Sequence, residues 1–245
     1  SFIGPCPDDS GVGIGACYLA NERFSNKKYK NNECKDNYWG PEFSDQEMDL
    51  IIKKFKLKKS KPKNLLKDVA ELIANGNLVG WFQGRMEFGH RALGNRSILA
   101  DPRKFETIAK INHKIKKRDF WMPFAPSLLK EKASKYIVNP KNLFSPYMML
   151  AFDTTELAQT EICAAIHPRD KTARVQIVDK LMNPEYWELI NDFYKMSGIP
   201  CILNTSFNLH GYPLVYSFED AISVFKNSGL NYLVIENFIL KKIKS

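Results

Sequence analysis

Residues 80–97 combine guanidinium groups with flexible backbone, because this stretch of eighteen residues contains three Arg and four Gly. Arg is otherwise rare in the chain, with 8 residues against 28 Lys. A guanidinium is a planar set of donors that can bind phosphate or carboxylate through two bonds at once, whereas an ammonium is a point charge. Glycine lets the backbone turn tightly or approach a ligand closely. The stretch therefore predicts an oxyanion pocket; the alternative is a turn-rich loop whose Arg residues form structural ion pairs.

A second cationic segment covers residues 112–127, where basic side chains follow one another along the end of a predicted helix. Two Pro then flank the start of an apolar strand. Lys116 and Arg118 are two positions apart, so they share one side of the chain only where the backbone is extended. In that conformation they can flank one polyphosphate. The alternative is that these cations stabilise the negative end of the helix dipole.

Residues 200–211 predict a buried strand that runs into polar side chains and ends at a glycine. The polar side chains are those of Asn204, Thr205, Ser206 and Asn208. Hydroxyl and amide groups directly after a strand lie where ligands bind in α/β folds. Contact with nucleotide phosphate or ribose is one interpretation, and a turn stabilised by Asn and Ser side chains is the other.

The fourth polar segment, residues 167–176, places His167 and Arg174 at the two ends of a predicted turn and strand. On an alternating strand, Arg174 and Gln176 point to the same face. A histidine at this place can donate a proton or hydrogen-bond to an oxyanion. A purely structural histidine is the alternative.

Short apolar runs predict the strands that position these segments. The predicted strands cover residues 78–82, 97–100, 124–129, 147–152, 173–178, 201–203, 232–235 and 238–240. The predicted helices cover residues 44–55, 62–76, 101–115, 183–196 and 217–229. Three of these helices begin with a capping signal, at Asp101, Asn183 and Ser217. Strands that alternate with helices indicate an α/β or α+β domain with a mixed sheet flanked by helices.

Charge distribution, cysteine spacing and the length of apolar runs limit the classes of function that the sequence supports. The net charge is +9, yet eight Lys and no acid lie in residues 53–67, so the basicity is local. This run is interpreted as a solvated connector, with contact to RNA or a membrane as the alternative. The five Cys form no C-x-x-C pair and no repeated spacing with the four His, which argues against a closed zinc site, so no metal ligand is assigned. Without a membrane-length apolar run or a secretion signal, a cytoplasmic protein is expected.

These four segments, in this order, resemble the C-terminal half of the O-carbamoyltransferase family, which includes nodulation protein NodU and antibiotic carbamoyltransferases. The resemblance covers nearly all of residues 38–242. It runs through residues 80–97, 101–103, 112–127, 167–176 and 204–211. It implies a YrdC-like domain with a twisted mixed sheet flanked by helices. The paired K-x-R and S-x-N elements of such domains are similar to residues 116–118 and 206–208.

The resemblance also implies a reaction and its cofactors. Carbamoyl phosphate yields carbamate, which attacks the α-phosphate of ATP, bound with Mg²⁺, to form carbamoyl-adenylate and pyrophosphate. The carbamoyl group then passes to a hydroxylated small-molecule acceptor in an actin-like domain, which carries iron or another divalent metal and is expected outside this chain. Fixed cations suit this chemistry, because charge builds on the phosphoryl oxygens during the attack.

The expected site residues form two groups. The catalytic group comprises Arg91, Arg96, Lys116, Arg118 and His167. The binding group, which would orient phosphates, ribose or the carbamoyl amide, comprises Asn95, Ser97, Arg174, Asn204, Thr205, Ser206 and Asn208. His90 is assigned no role.

Three regions are expected along the chain. Residues 1–20, an acidic Gly-rich turn leading into a helix, resemble the closing segment of the family's actin-like domain, so the chain is expected to be a fragment. Residues 21–61 are expected to form a linker with a short helix, and residues 62–245 the YrdC-like domain.

Two other functions are retained. One is a threonylcarbamoyl-adenylate synthase or a hydrogenase-maturation carbamoyltransferase, because these enzymes share the K-x-R and S-x-N elements. The other is a non-catalytic RNA-binding module that uses the Lys run of residues 53–67.

Overall fold

The computed structural model describes residues 3–25, 36–55, 58–117 and 122–242, without the side chain of residue 45. Its helices are α1 (Asp9–Phe24), α2 (Asp45–Lys54), α3 (Leu65–Ala74), α4 (Glu106–Ile111), α5 (Glu156–Glu161), α6 (Pro184–Ser197) and α7 (Phe218–Asn227). Its strands are β1 (Lys59–Ser60), β2 (Val79–Phe82), β3 (Arg96–Ala100), β4 (Ala125–Leu129), β5 (Ala151–Asp153), β6 (Thr172–Arg174), β7 (Gln176–Val178), β8 (Cys201–Ser206), β9 (Tyr232–Ile235) and β10 (Phe238–Lys241). Within these ranges, none of the helices has the length and hydrophobicity that a membrane crossing requires.

Eight of these strands form one mixed sheet, in the order β1-β10-β9-β2-β3-β8-β4-β7. The pairs β2/β9 and β4/β7 are parallel, and the other neighbouring pairs are antiparallel. Strands β5 and β6 form a separate two-stranded sheet. In the main sheet Ser97 of β3 lies opposite Ser206 of β8. The sheet therefore joins polar segments that are far apart in the chain.

Apolar side chains cover both faces of the main sheet. On one face, α3 and α6 pack against each other and against the sheet. On the other face, α2, α4 and α7 bury their apolar sides. Trp81 packs in the first core and Phe82 in the second, as the alternation of side chains along β2 requires. The predicted fold class, a twisted mixed sheet flanked by helices, is confirmed.

Two helices begin at the caps that the sequence indicates. At α6 the Asn183 side chain caps the first turn, Pro184 is the first helical residue, and Gly198 ends the helix in the left-handed conformation. At α7 Ser217 and Asp220 form a reciprocal capping box. Local sequence is sufficient here, because each cap is satisfied by its own helix.

The helix predicted from Asp101 begins later than expected. The Asp101 carboxylate is nearly buried and accepts two hydrogen bonds from Nε of Arg103, at 2.9 and 3.0 Å, and one from Nη2 at 2.6 Å. Its Oδ1 also accepts the backbone N–H of Arg103 at 2.9 Å, so the carboxylate closes a turn at residues 101–103 instead of capping a helix. The prediction was therefore wrong at this end, and α4 starts at Glu106.

Two of the predicted strands have bounds that differ from those in the structure. Residues 147–152 contribute a strand only from Ala151 onward, as β5. The strand predicted over 173–178 divides at Val175, whose C=O accepts a hydrogen bond from Ser145 Oγ at 2.9 Å. As a result, Arg174 belongs to the small sheet and Gln176 to the main sheet.

The region expected to be a linker contributes to the core. Met48 and Ile52 of α2 are buried in the same core as α7, and β1 pairs with β10 at the edge of the main sheet. By contrast, α1 has no buried residue. The division of the chain into domains stays a prediction.

Glu236 lies in the tight turn between β9 and β10, with a left-handed φ of 44°. Its Oε1 accepts a hydrogen bond from the Gly84 N–H at 3.0 Å, and its backbone C=O accepts one from the Gln83 side chain at 3.0 Å. Burial, followed by the nearby charge of Glu185, raises the pKa of Glu236 to about 7. The turn thus contacts the start of the 83–96 loop through a carboxyl group that resists ionisation.

We expect Glu236→Gln to stabilise the protein at high pH. Because burial raises the folded-state pKa above the ordinary 4.5, the stability is fully present below pH 4.5 and falls as the pH rises through about 7. The substitution should raise the free energy of unfolding by about 1–3 kcal/mol at about pH 8 and change it little at about pH 4.5. Denaturant unfolding at both pH values measures this, with the exposed Glu71→Gln as the control. An equal effect at the two pH values would contradict the prediction.

Candidate functional site

The 83–96 loop is organised around a buried carboxylate. Glu87 is the only acid in residues 80–97, and it is 3% exposed. Its Oε1 accepts hydrogen bonds from the backbone N–H groups of Leu93 at 2.6 Å, Arg96 at 3.2 Å and Asn95 at 3.3 Å. Hydrogen bonds to a charged acceptor are stronger than neutral ones. The carboxylate therefore fixes the backbone of residues 93–96 from inside the bend.

Gly94 allows close packing within the same bend. Its φ is 104°, and a Cβ added there would lie 2.3 Å from Cδ1 of Tyr186. Its C=O accepts a hydrogen bond from the Trp81 indole at 2.8 Å, and its N–H donates to Ser97 Oγ at 3.1 Å. Both the backbone conformation and the lack of space require glycine here.

Arg96 supports this loop from the interior. The side chain is fully buried, and Nη1 donates to the C=O of Gln83 at 2.8 Å while Nη2 donates to the C=O of Gly84 at 3.0 Å. Its Cζ lies 3.5 Å from the centroid of the Phe82 ring. Burial lowers the pKa of Arg96 to about 10, although neighbouring carboxylates favour the charged form. The guanidinium is thus directed at backbone carbonyls of the loop.

Asn95 and Ser97, both expected to bind substrate, also make contacts within the loop. Asn95 Nδ2 donates to the C=O of Arg85 at 2.6 Å, and its Oδ1 accepts from the Asn183 amide at 2.8 Å. Ser97 is fully buried and accepts the Gly94 N–H. Together with Arg96, these residues determine the shape of the loop.

Arg91 and Arg174 meet at a small cleft beside the end of β8. Five of the predicted site residues line it, namely Arg91, Arg174, Asn204, Thr205 and Ser206. Phe124, Ala125 and Met148 supply apolar lining, and His90 lies at the same cleft. The cleft has a volume of about 80 Å³. That space suits a carbamoyl or phosphoryl group, whereas a whole nucleotide would extend beyond it.

Arg91 carries the donor capacity that an anion requires. Its side chain is partly buried, and its Nε has no hydrogen-bond partner among the described residues. Burial lowers the pKa of Arg91. A partly desolvated guanidinium with an unused donor gains more from an anionic ligand than a solvated one does.

A buried polar network adjoins the cleft. Gln176 Nε2 donates to the C=O of Leu93 at 2.8 Å, and Ser127 Oγ donates to Gln176 Oε1 at 2.7 Å. Asn204 Nδ2 contacts Gln176 Oε1 at 3.3 Å, Ser127 Oγ at 3.2 Å and the C=O of Ala92 at 3.1 Å. The network links the strands β4, β7 and β8 to the 83–96 loop.

Ser127 and Gln176 were not among the predicted site residues. Each is a polar residue within an otherwise apolar, buried strand, and both are at most 3% exposed. Such positions are unusual, because a buried polar side chain needs a partner to offset its lost hydration. That contrast is the sequence signal that could have identified them.

Lys116 reaches the S-x-N element from a distorted helix end. The helix α4 continues as a π-helix over Asn112–Lys116, and Lys117 then takes a left-handed φ of 46°. The buried Nζ of Lys116 donates to the C=O of Ser206 at 2.6 Å, to its Oγ at 3.0 Å and to the C=O of Asn208 at 3.1 Å, and it also contacts Asn208 Oδ1. Lys116 of the K-x-R element therefore contacts both Ser206 and Asn208 of the S-x-N element. Arg118 lies outside the described residues.

His167 is placed in a turn away from the cleft lining. Its Nδ1 accepts a hydrogen bond from the Asp170 N–H at 3.2 Å, and its own backbone N–H donates to the C=O of Thr172 at 2.8 Å. His90 instead contacts the start of α1, with Nε2 at 2.8 Å from Asp8 Oδ2. The structure thus joins Arg174, but not His167, to the other cleft residues that it describes.

Two further observations bear on which ligand the described residues could bind, one on a second groove and one on metal-ligating side chains. A larger groove of about 730 Å³, lined by residues such as Ala133, Ile137 and Phe144, is mainly apolar and contains none of the predicted site residues. Among the described residues, no group of three or more His, Cys, Asp or Glu side chains could hold a metal ion. The small cleft, with its two guanidiniums and neutral amide and hydroxyl groups, is the place suited to an anion.

Most of the chain matches a known protein family. Residues 70–242 match the model of the family described as "Carbamoyltransferase C-terminus". The chain belongs to the carbamoyltransferase family. The resemblance inferred from the four polar segments is therefore confirmed.

Curated relatives extend the match to nearly the whole chain. Nodulation protein NolO of Bradyrhizobium diazoefficiens is 38% identical over 245 residues, which is 98% of this carbamoyltransferase chain and 44% of that relative. The 3'-hydroxymethylcephem-O-carbamoyltransferase of Amycolatopsis lactamdurans is 29% identical over 235 residues, covering 96% of this chain and 42% of that enzyme. The chain thus spans less than half the length of these relatives.

A solved structure supports the fold alone. Full-length HypF in its phosphate- and nucleotide-bound form superposes with a TM-score of 0.51 and 17% sequence identity, covering 70% of this chain and 21% of HypF. This likeness agrees with the predicted YrdC-like arrangement of a mixed sheet and flanking helices.

We expect removal of the Glu87 side chain to destabilise the carbamoyltransferase chain. Glu87→Ala leaves three loop N–H groups without their acceptor and opens a cavity, which should lower the free energy of unfolding by about 3–5 kcal/mol. Glu87→Gln keeps a neutral acceptor, so a loss of about 1–2 kcal/mol is expected. Denaturant unfolding measures both, with the exposed Glu71→Ala as the control. Losses no larger than the control's would show that the loop does not depend on Glu87.

Proposed function

We propose that this chain provides the site at which carbamoyl phosphate and ATP form carbamoyl-adenylate, for transfer of the carbamoyl group to a hydroxylated small molecule. The observation that carries the proposal is the convergence of Arg91 and Arg174 on one small cleft with neutral polar groups from the end of β8. Two cations and neutral donors around a small space suit a substrate that is anionic at one end and polar at the other.

The proposed chemistry has two balanced steps. Water cleaves carbamoyl phosphate into carbamate and inorganic phosphate. A carboxylate oxygen of carbamate then attacks the α-phosphorus of ATP, and the bond from that phosphorus to the bridging oxygen breaks, which releases pyrophosphate and leaves carbamoyl-adenylate. Free carbamate is short-lived in water, so a closed cleft would favour the second step by keeping the two reactants together.

Arg91 and Arg174 would bind the transferring phosphoryl oxygens. Charge increases on these oxygens in the transition state, and guanidiniums that are already in place stabilise it without further reorganisation. Arg96 would act as a positioning residue, because it is fully buried and its Nη1 and Nη2 donate to backbone carbonyls of the loop that carries Arg91. Arg118 and His167 remain predictions.

Lys116 offers a third cation behind Ser206. Its Nζ is shared among four oxygens of Ser206 and Asn208, more than its three hydrogens can serve with full strength. An incoming phosphate oxygen would replace one of these acceptors and gain a charge-assisted hydrogen bond. Ser206 and Asn208 would then orient the same phosphate.

ATP is proposed as the co-substrate, with Mg²⁺ bound to its phosphates. The protein side of the cleft is cationic and neutral, which suits the phosphates themselves. Mg²⁺ commonly binds through substrate phosphates and water with only one or two carboxylates. The residues described above would therefore bind the anion, while the ion would neutralise part of its charge.

The acceptor is proposed to be a hydroxyl group on a small molecule. The name of the relative from Amycolatopsis lactamdurans specifies O-carbamoyl transfer to a hydroxymethyl cephem. Because this chain spans 42% of that enzyme, the acceptor site and the complete transfer are proposals for the longer protein.

Pyrophosphate release tests the proposal directly. With ATP and Mg²⁺, the wild-type chain should release pyrophosphate only when carbamoyl phosphate is also present. Arg91→Ala and Arg174→Ala should each lower kcat/KM by roughly 10²–10³-fold, because each removes a fixed charge that acts on the transition state. Coupled measurement of pyrophosphate at several concentrations of each substrate separates kcat from KM.

The exposed Arg23→Ala on α1 is the matched control and should retain wild-type rates. Thermal unfolding of each variant separates lost catalysis from lost folding. If the wild-type chain neither releases pyrophosphate nor binds either substrate, the proposal is wrong. Stimulation by threonine and bicarbonate in place of carbamoyl phosphate would instead identify a threonylcarbamoyl-adenylate synthase.

A further inference from the structure

Asn204 is a buried amide in the middle of the main sheet that also lines the cleft. It lies in β8, opposite Leu99 of β3 and Ala125 of β4, and it is 1% exposed. The same cleft contains Arg91 and Arg174. An amide held in a central strand is far more rigid than one in a surface loop, so its orientation can select a ligand.

The surrounding hydrogen bonds determine which position of the Asn204 amide is the nitrogen and which is the oxygen. Nδ2 has three acceptors, the C=O of Ala92, Ser127 Oγ and Gln176 Oε1, at 3.1 to 3.3 Å. Gln176 is itself oriented, because its Nε2 donates to the C=O of Leu93. These contacts therefore place the nitrogen of Asn204 in the network. The oxygen of Asn204 is the end of the amide that takes no part in it.

The Asn204 oxygen is an unused acceptor. Oδ1 is buried and has no hydrogen-bond partner among the described residues. A buried polar atom without a partner costs roughly 1–3 kcal/mol, so its presence calls for a ligand that supplies a donor. Phosphate and carboxylate oxygens cannot supply one, and they would be repelled by a carbonyl oxygen.

We propose that Asn204 Oδ1 accepts a hydrogen bond from the amino group of the carbamoyl moiety, and so selects a carbamoyl group over an acetyl group. The inference rests on the proposed function. Carbamoyl phosphate carries its only strong N–H donors on that amino group, at the end opposite the phosphate. Arg91 and Arg174 bind the anionic end, and Asn204 recognises the amino end. Acetyl phosphate has a methyl group of similar size in that place and cannot donate.

Competition between these two acyl phosphates tests the inference. By calorimetry, the wild-type chain should bind carbamoyl phosphate at least about tenfold more tightly than acetyl phosphate, since a site built for a hydrogen bond rejects an analogue that lacks it. Asn204→Ala should reduce this ratio to within about twofold of unity by weakening carbamoyl phosphate binding alone. Asn204→Asp keeps an acceptor, so it should bind both ligands more weakly but retain a preference for carbamoyl phosphate.

The exposed Asn227→Ala on α7 is the control and should keep the wild-type ratio. ATP affinity should be unchanged in Asn204→Ala; an equal loss of ATP affinity would show that Asn204 contacts the nucleotide, and would overturn the inference. An unchanged ratio in Asn204→Ala would also overturn it while leaving the proposed function intact. Absence of binding of carbamoyl phosphate to the wild-type chain would overturn both. A wild-type ratio near unity would overturn the inference as well, whether or not Asn204→Ala folds.

Discussion

The cleft depends on one buried carboxylate. Glu87 gathers the N–H groups of Leu93, Asn95 and Arg96 on a single oxygen, and this bend gives the 83–96 loop its form. The backbone carbonyl of Leu93 then orients Gln176 in the neighbouring sheet network. A buried acid needs hydrogen-bond partners, and here the loop supplies three to Oε1, whereas Oε2 has none among the described residues. The position of Arg91 follows from the same bend, since it lies in the segment that Glu87 closes.

The three Arg of residues 80–97 have separate tasks, and burial explains the separation. Arg96 is fully buried, its Nη1 and Nη2 donate to backbone carbonyls of the loop, and its guanidinium lies over the Phe82 ring, while its Nε has no partner among the described residues. Arg85 donates to the carbonyls of Trp39 and Gly40, which attaches the loop to the segment before α2. Arg91 alone of the three lines the cleft. Arg85 and Arg96 therefore stabilise the loop, whereas Arg91 is the residue that we propose binds an anion.

The polar network of β4, β7 and β8 gives the proposed site a rigid base. Its members belong to strands that pair with one another, so a small displacement of one would break several hydrogen bonds at once. Amide and hydroxyl groups in this setting orient a ligand without adding charge. That property suits the proposed substrate, whose anionic end Arg91 and Arg174 would bind and whose amino end needs recognition.

Sequence alone determined the class of fold, the family, and the polar segments that supply the proposed site. Local signals sufficed for the helix starts at Asn183 and Ser217, because each cap is satisfied within its own helix, and the family followed from the order of the four polar segments. Only the tertiary structure decided which polar residues face the cleft. Arg91 and Arg96 are five positions apart and alike in type, yet the side chain of one is directed into the core and that of the other to the cleft. That difference arises from the bend around Glu87 and from the pairing of β3 with β8, which join parts of the chain that local sequence patterns do not relate.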